Sequence, residues 1–244
     1  TYFDEIDKHF SWLRGELTIM HGIGNYGKST LLYQLCLIKS IMNGDKWAVF
    51  SPEQSPAKYF YRDLIQMHKG KSCNKWNDNK ITHSEINESA NFLHEHFFLV
   101  NPDHSPSPEY MMDRFFEAII KKKVDGCIID PFNQLSHCWG DRDDKYLEKL
   151  LTTFKYFAKN NNIHFIIIAH PQKLRKEKDG NYPCPDVFDI ANGAMWNNKA
   201  DNILCYHRPN YQTDKADPTC EFHSQKIRFQ QIVGIPGTVT MNYN

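Results

Sequence analysis

Between Leu17 and Tyr33 the chain reads L-T-I-M-H-G-I-G-N-Y-G-K-S-T-L-L-Y, a short apolar strand, a glycine-rich turn and the opening of a helix. Within it, Gly22 to Ser29 fit G-x-x-x-x-G-K-S, a phosphate-binding loop. Gly22, Gly24 and Gly27 let the backbone curl so that successive N–H groups face one anion. The helix that follows turns its positive end and unpaired N–H groups toward the same phosphates. Lys28 can reach the β- and γ-phosphates, and the Ser29 hydroxyl can ligate Mg²⁺. Asn25 and Thr30, in the same loop and first helical turn, complete the nucleotide-binding set. The ligand this stretch asks for is ATP or a close relative.

A chain of 244 residues is long enough to bury one large core around such a loop. Its 29 basic and 29 acidic side chains cancel, so a nucleic-acid surface, if there is one, has to be local. The seven cysteines, Cys36, Cys73, Cys127, Cys138, Cys184, Cys205 and Cys220, are odd in number and show no C-x-x-C spacing. That suits free thiols in a reducing cytosol rather than a disulfide framework or a zinc site. No apolar run has membrane-spanning length and no secretory signal is visible. The first residue is Thr1 and not Met, as expected of a piece cut from a longer protein.

Apolar spacing sets the expected elements. Tyr2 to Leu13 reads as an amphipathic helical lead-in through Phe3, Ile6, Phe10 and Leu13. Leu31, Leu32, Leu35 and Ile38 give the helix after the loop one apolar face. A strand at Trp47 to Phe50 runs into S-P-E-Q-S-P, where Pro52 and Pro56 break regular structure. Helices are expected from Ala57 to His68, up to about His96, and from Glu109 to Lys123. The last carries Met112, Phe115, Phe116, Ile119 and Ile120 on one stripe. Lys69 to Lys80 is a polar surface excursion. Phe97 to Val100 is a strand, as is the apolar run ending at Asp130. A core helix around Leu147 to Phe157 precedes a strongly apolar strand, Ile163 to Ala169. Asn202 to Tyr206, Cys220 to Phe229 and Thr238 to Tyr243 form a β-rich tail, with no clear helix between the last two. Alternation followed by such a tail predicts an α/β fold: a mostly parallel sheet flanked by helices, with an antiparallel β extension at the end.

In such sheets ligands sit beyond the carboxyl ends of the strands. Asp130, after C-I-I, is placed to hold Mg²⁺; the plainer reading is a helix-capping aspartate. Glu53, after W-A-V-F, can orient and deprotonate water attacking a γ-phosphate, or be a solvated loop glutamate. His170 ends F-I-I-I-A-H, where it can sense the γ-phosphate or be merely structural. Lys173, Arg175, Lys176 and Lys178 cluster directly after it. Alone they read as an exposed charged loop; in that position they could grip a phosphodiester backbone without reading its sequence. Lys226 and Arg228 in Q-K-I-R-F lie two residues apart, on one strand face. They could serve their own nucleotide, act as an arginine finger on a neighbouring subunit's ATP, or be surface cations.

The ordered motifs G-E-L-T-I-M-H-G-I-G-N-Y-G-K-S-T, A-V-F-S-P-E-Q, C-I-I-D-P-F-N-Q-L, F-I-I-I-A-H-P-Q-K and D-I-A-N-G-A-M-W-N-N-K-A-D-N-I, then Q-K-I-R-F before G-I-P-G-T-V, run almost end to end. This set resembles the RecA-like motor domain of DnaB-type replicative helicases, the group that includes phage primase-helicases and Twinkle. The resemblance implies a RecA-like P-loop ATPase domain over residues 15–244, with 1–14 as lead-in and part of a linker that packs on a neighbour. It implies ATP-driven 5′→3′ translocation on single-stranded DNA and duplex unwinding. By the same likeness Glu53 is the catalytic base and Asp130 the Walker B acid. His170 is the phosphate sensor, and Lys226 and Arg228 act on the adjacent subunit's ATP. Arg208 lies near the adenine, with Tyr243 stacking there, and the loop from Lys173 to Lys178 lines a DNA channel. The implied cofactors are ATP and Mg²⁺. The implied partners are single-stranded or forked DNA, further copies in a hexameric ring, and a primase domain or protein, with no membrane. The implied compartment is the cytoplasm of a bacterial or phage-infected cell, or the mitochondrial matrix. Residues 192–201 depart from the glutamine-bearing pattern of bacterial members. A RecA- or KaiC-like ATPase that does not unwind is the competing reading. A small-molecule kinase is weaker, because no arginine-rich lid follows Asp130.

Overall fold

The computed structural model describes residues 1–138, 142–172 and 174–243. Among these, eight strands join in one sheet: β1 Leu17–His21, β2 Trp47–Phe50, β3 Phe97–Leu99, β4 Gly126–Ile129, β5 His164–Ala169, β6 Asn202–His207, β7 Thr219–Ile227 and β8 Gly237–Asn242. Their order across the sheet is β3-β2-β4-β5-β1-β6-β7-β8. The first six run parallel, and β7 and β8 turn back antiparallel. This is the expected architecture.

Burial on both faces explains the apolar runs. Along β5 every residue is buried, and alternate side chains enter different cores. Phe165 and Ile167 pack with Phe115 of α5 (Pro108–Lys122) and Leu151 and Phe154 of α6 (Asp143–Asn161). Ile166 and Ile168 pack on the other face with Leu32 and Leu35 of α2 (Lys28–Asn43), Phe60 and Leu64 of α3 (Ala57–Lys69) and Leu93 of α4 (His83–His96). Local signals set the helix ends. A reciprocal Thr82–Glu85 capping box opens α4, and Ser107 with Pro108 opens α5.

Three expectations change. The lead-in forms only one helical turn, α1 (Asp4–Asp7). Beyond it the Ser11 N–H donates to Val233 O and Lys8 O accepts from Ile235 N, so this backbone is tied to the chain's own tail. Ile6 and Phe10 are buried there against β7, with Phe10 and Phe222 6.4 Å apart. The α5 stripe is narrower than its sequence: Met111 and Phe115 are buried while Phe116 and Ile120 are half exposed. Met112 and Ile119 pack partly buried at the margin of the same core. Finally, two short helices, α7 (Gly193–Lys199) and α8 (Gln230–Val233), occur where periodicity is too brief to signal them. The second separates β7 from β8. No helix among the described residues is long and apolar enough to cross a membrane.

Candidate functional site

Five parallel strands deliver their carboxyl ends to one edge. The phosphate loop leaves β1, Glu53 follows β2, Asp130 follows β4, His170 follows β5 and Arg208 follows β6. Strand β1 lies between β5 and β6, so the loop opens where the chain departs to either side. A cavity of about 550 Å³ fills this edge, lined by Gly24 to Thr30, Glu53, His170, Arg208, Tyr211 and Tyr243.

The loop's shape depends on two glycines. Gly22 has φ +141°, and a Cβ there would meet Tyr206 O at 2.3 Å. Gly27 has φ +103°, starts α2 without a side-chain cap, and would bring a Cβ to 3.1 Å from the Tyr243 ring. Gly24 is not left-handed; Asn25, at φ +61°, makes the intervening turn. Lys28 is buried with its Nζ donating to Ile23 O at 2.7 Å. Burial lowers its pKa to about 8, partly opposed by the Asp130 carboxylate. A buried, lightly held ammonium beside uncapped helix N–H groups is a receptor for an anion.

Asp130 is buried and its carboxyl is raised by desolvation, opposed by hydrogen bonds from Tyr33 and Ser29. The Tyr33 hydroxyl donates to Oδ2 at 2.5 Å. Ser29 and Asp130, distant in sequence, are therefore neighbours at this edge. Their hydroxyl and carboxylate oxygens suit a hard cation that keeps water and phosphate as its other ligands. Glu53 sits exposed in a 3₁₀ turn, Pro52–Gln54, where Gln134 Nε2 donates to it at 3.5 Å. His170 is half-buried; desolvation first and the Lys28 charge second lower its pKa, so its imidazole is neutral at pH 7.

At the other end of the cavity Arg208 is buried between two rings, 4.1 Å from the Tyr211 centroid and 4.7 Å from that of Tyr243. It donates to Asp217 O at 2.9 Å, while its buried Nε has no partner. Stacked planes with an unused donor suit a planar heterocycle.

Lys226 and Arg228 are not in this cavity. The register pairs Ile227 with Asn202 at the start of β6, the edge opposite the phosphate loop. There Arg228 Nε meets Asp201 at 2.6 Å, and Lys226 Nζ donates to Asn197 O and Ala200 O. Lys155 shares Asp201. The two cations are thus separated from their own nucleotide site by the length of the sheet. Arg175, Lys176 and Lys178 are exposed on the segment leaving β5, with Lys176 over the Tyr182 ring at 5.3 Å. Lys173 lies outside the described residues. A Pro171–Ile190 bridge closes the base of this loop, and Asn181 Oδ1 accepts from Thr213, fixing its far side.

Sequence reasoning missed Tyr33, Gln134 and Tyr211. Tyr33 lies one helical turn after Ser29, and Tyr211 three residues after Arg208, so spacing held a signal for both. Gln134 had none, because its partner Glu53 is 81 residues away.

The family model for the DnaB-like helicase C terminal domain matches residues 1–244. The Twinkle homolog protein, chloroplastic/mitochondrial, of Arabidopsis thaliana is 28% identical over 221 residues, covering 85% of this chain and 30% of that protein. The chain thus spans under a third of the curated relative's length. Two solved structures share the fold. One, an ATPase domain, has a TM-score of 0.79 at 15% identity, over 98% of this chain and 86% of that one. The other, a DnaB-like replicative helicase solved in a study of its interactions with primase, has a TM-score of 0.76 at 17% identity, over 99% and 58%.

Proposed function

We propose that this chain, which belongs to the DnaB-like helicase C-terminal domain family, is the ATP-driven motor of a replicative DNA helicase moving 5′→3′ on single-stranded DNA. Residues 15–244 form the motor and 1–14 its lead-in. The observation that carries this reading is the division of charged groups between opposite sheet edges. Phosphate loop, Glu53, Asp130 and His170 converge on one edge, whereas Lys226 and Arg228 stand at the other.

The loop amides from Gly22 to Gly27 and Lys28 hold the triphosphate, with Asn25 and Thr30 shaping the loop and first helical turn. Arg208 and Tyr243 take the base. The Ser29 hydroxyl and the Asp130 carboxylate would hold Mg²⁺, which would supply neutralisation of charge on the triphosphate. Glu53, steadied by Gln134, orients the attacking water as general base. Neutral His170 contacts the γ-phosphate by hydrogen bond. It passes the phosphate's presence to Pro171 and the basic loop, where Lys173, Arg175, Lys176 and Lys178 hold the DNA backbone.

Lys226 and Arg228 complete a site only in another copy. Head-to-tail packing that sets one subunit's amino edge on the next one's carboxyl edge supplies them, and the closed form of that packing is a ring, here a hexamer. The remaining partners are forked DNA and a primase domain or protein. The working compartment is bacterial or phage-infected cytoplasm, or the mitochondrial matrix.

The test is unwinding of a forked duplex with a 5′ tail, against a 3′-tailed control. ATP-dependent strand separation of the 5′-tailed fork is expected. DNA-stimulated hydrolysis with no separation of either fork would favour the RecA- or KaiC-like ATPase.

A further inference from the structure

Directly behind the phosphate loop, three paired strands place polar side chains at one level. His21, Cys205 and His223 are partners across β1, β6 and β7. The returning end of the basic loop lies over them. Gln225 Nε2 donates to Pro185 O at 2.7 Å, and Gln225 Oε1 is 2.7 Å from His21 Nε2. Beside this anchor the Cys184 and Cys205 sulfurs are 3.8 Å apart, and no disulfide joins them.

The two thiols differ. Cys205 is fully buried in the sheet, and burial pushes its thiol up. Cys184 is partly exposed, and the neighbouring Cys205 thiol first and the His223 imidazole second hold it below the ordinary thiol range. An accessible thiolate beside a sequestered thiol is the arrangement in which one sulfur reacts and the other resolves. Among the described residues, the exposed Cys138 and the partly exposed Cys73 have no such partner sulfur beside them.

We propose that Cys184 and Cys205 are a peroxide-reactive dithiol whose disulfide pins the basic loop's return to β6. The Cys184 thiolate attacks hydrogen peroxide and breaks its O–O bond. The sulfur gains one oxygen as sulfenic acid, and the other leaves as hydroxide, which takes a proton to become water. The Cys205 sulfur then displaces the sulfenic oxygen, which also leaves as water once protonated. Two thiols lose two electrons and two protons, and one peroxide becomes two waters. A small-molecule dithiol reverses the change by exchange. Closing 3.8 Å to a bond of about 2.05 Å requires movement. Cys205 is laddered on both sides, so the Cys184 segment moves inward. The chain carrying Arg175, Lys176 and Lys178 is drawn with it.

Peroxide treatment of the full chain, then denaturation, alkylation and peptide mass mapping, tests the pair. A Cys184–Cys205 cross-link two hydrogens lighter, reversed by dithiothreitol, is expected. Cys184→Ser and Cys205→Ser should each abolish it, and Cys205→Ser should leave Cys184 trapped by dimedone as sulfenic acid. Oxidation should also slow tryptic cleavage after Arg175, Lys176 and Lys178 several-fold in the wild type, but not in Cys184→Ser. Absence of the cross-link, or Cys184 passing to sulfinic acid unpaired, would overturn the dithiol. A cross-link with unchanged cleavage would overturn the pinning. Neither readout uses nucleotide or DNA, so failure here leaves the helicase reading standing.

Discussion

The two edges of the sheet handle charge in opposite ways. At the carboxyl edge, Lys28 and Arg208 line an open cavity with donor capacity unused. At the amino edge, Asp201 takes Arg228, Lys155 and the Leu17 N–H, and carbonyls take Lys226. Open donors want an anion from outside, whereas the satisfied cluster presents a held shape. In the proposed head-to-tail assembly the shape of one copy would meet the cavity of the next, and neither edge would be a complete site alone.

Substitutions at Arg228 and Lys28 should separate the two edges most sharply. Arg228→Ala should lower kcat by about 10³–10⁵-fold, as removal of an arginine finger does. Nucleotide affinity of the isolated chain, followed by a fluorescent ATP analogue, should hardly change. Lys155 still pairs with Asp201, so the lost half-exposed ion pair should cost under about 1 kcal/mol in denaturant titration. Lys28→Ala should lower turnover about 10²–10³-fold and weaken the same analogue's binding as well. Equal loss of binding in both variants would erase the distinction between the edges.

The carboxyl edge was largely legible because each of its residues follows an apolar strand, and parallel strands share one end. Glu53, Asp130 and His170 could be located from that rule alone. The amino edge was not legible in the same way. Asp201 lies in a stretch with no periodicity, and it matters through Arg228 and Leu17, 27 and 184 residues away in the chain. The antiparallel return of β7 brings Arg228 to Asp201, and the parallel pairing of β1 with β6 brings Leu17. The lead-in misled because its apolar spacing is helical, although its Ser11 N–H goes to the Val233 carbonyl and its Lys8 carbonyl accepts from Ile235. Tyr33 was hidden by its type: a buried tyrosine on a core helix reads as packing until its hydroxyl is seen on Asp130.

A smaller effect should appear in the loop that leaves the carboxyl edge. Neutralising Arg175, Lys176 and Lys178 together should weaken single-stranded DNA binding. The slope of log K against log salt should fall by about 2, at about 0.7 per phosphate contact. A fluorescence-anisotropy salt series measures both, and an unchanged slope would make this an ordinary charged loop.

The smallest expected effect is at the amino edge. Glu16 accepts from Asn202 Nδ2 at 2.8 Å, and burial raises its pKa from 4.5 to about 7. The folded chain keeps this proton up to about pH 7, whereas the unfolded chain releases it near 4.5. Stability should therefore fall as pH rises from 4.5 to 7, then level off. His21 acts in the opposite sense: burial lowers its pKa from 6.5 to about 4, so stability is lost as pH falls through that interval. Comparing Glu16→Gln with the wild type isolates the first effect. The variant should melt higher at pH 8 and nearly equally at pH 4.5, and an equal difference at both would assign Glu16 no titration.

Mixing two inactive chains tests most directly whether each ATP is served by two copies. Glu53→Gln keeps its finger and lacks its base, whereas Arg228→Ala keeps the base and lacks the finger. Combined in equal amounts with ATP, Mg²⁺ and single-stranded DNA, random head-to-tail packing pairs an intact Glu53 with a neighbour's intact Arg228 at about one interface in four. Hydrolysis well above either variant alone is the predicted result. A mixture no more active than its two components would contradict the shared site.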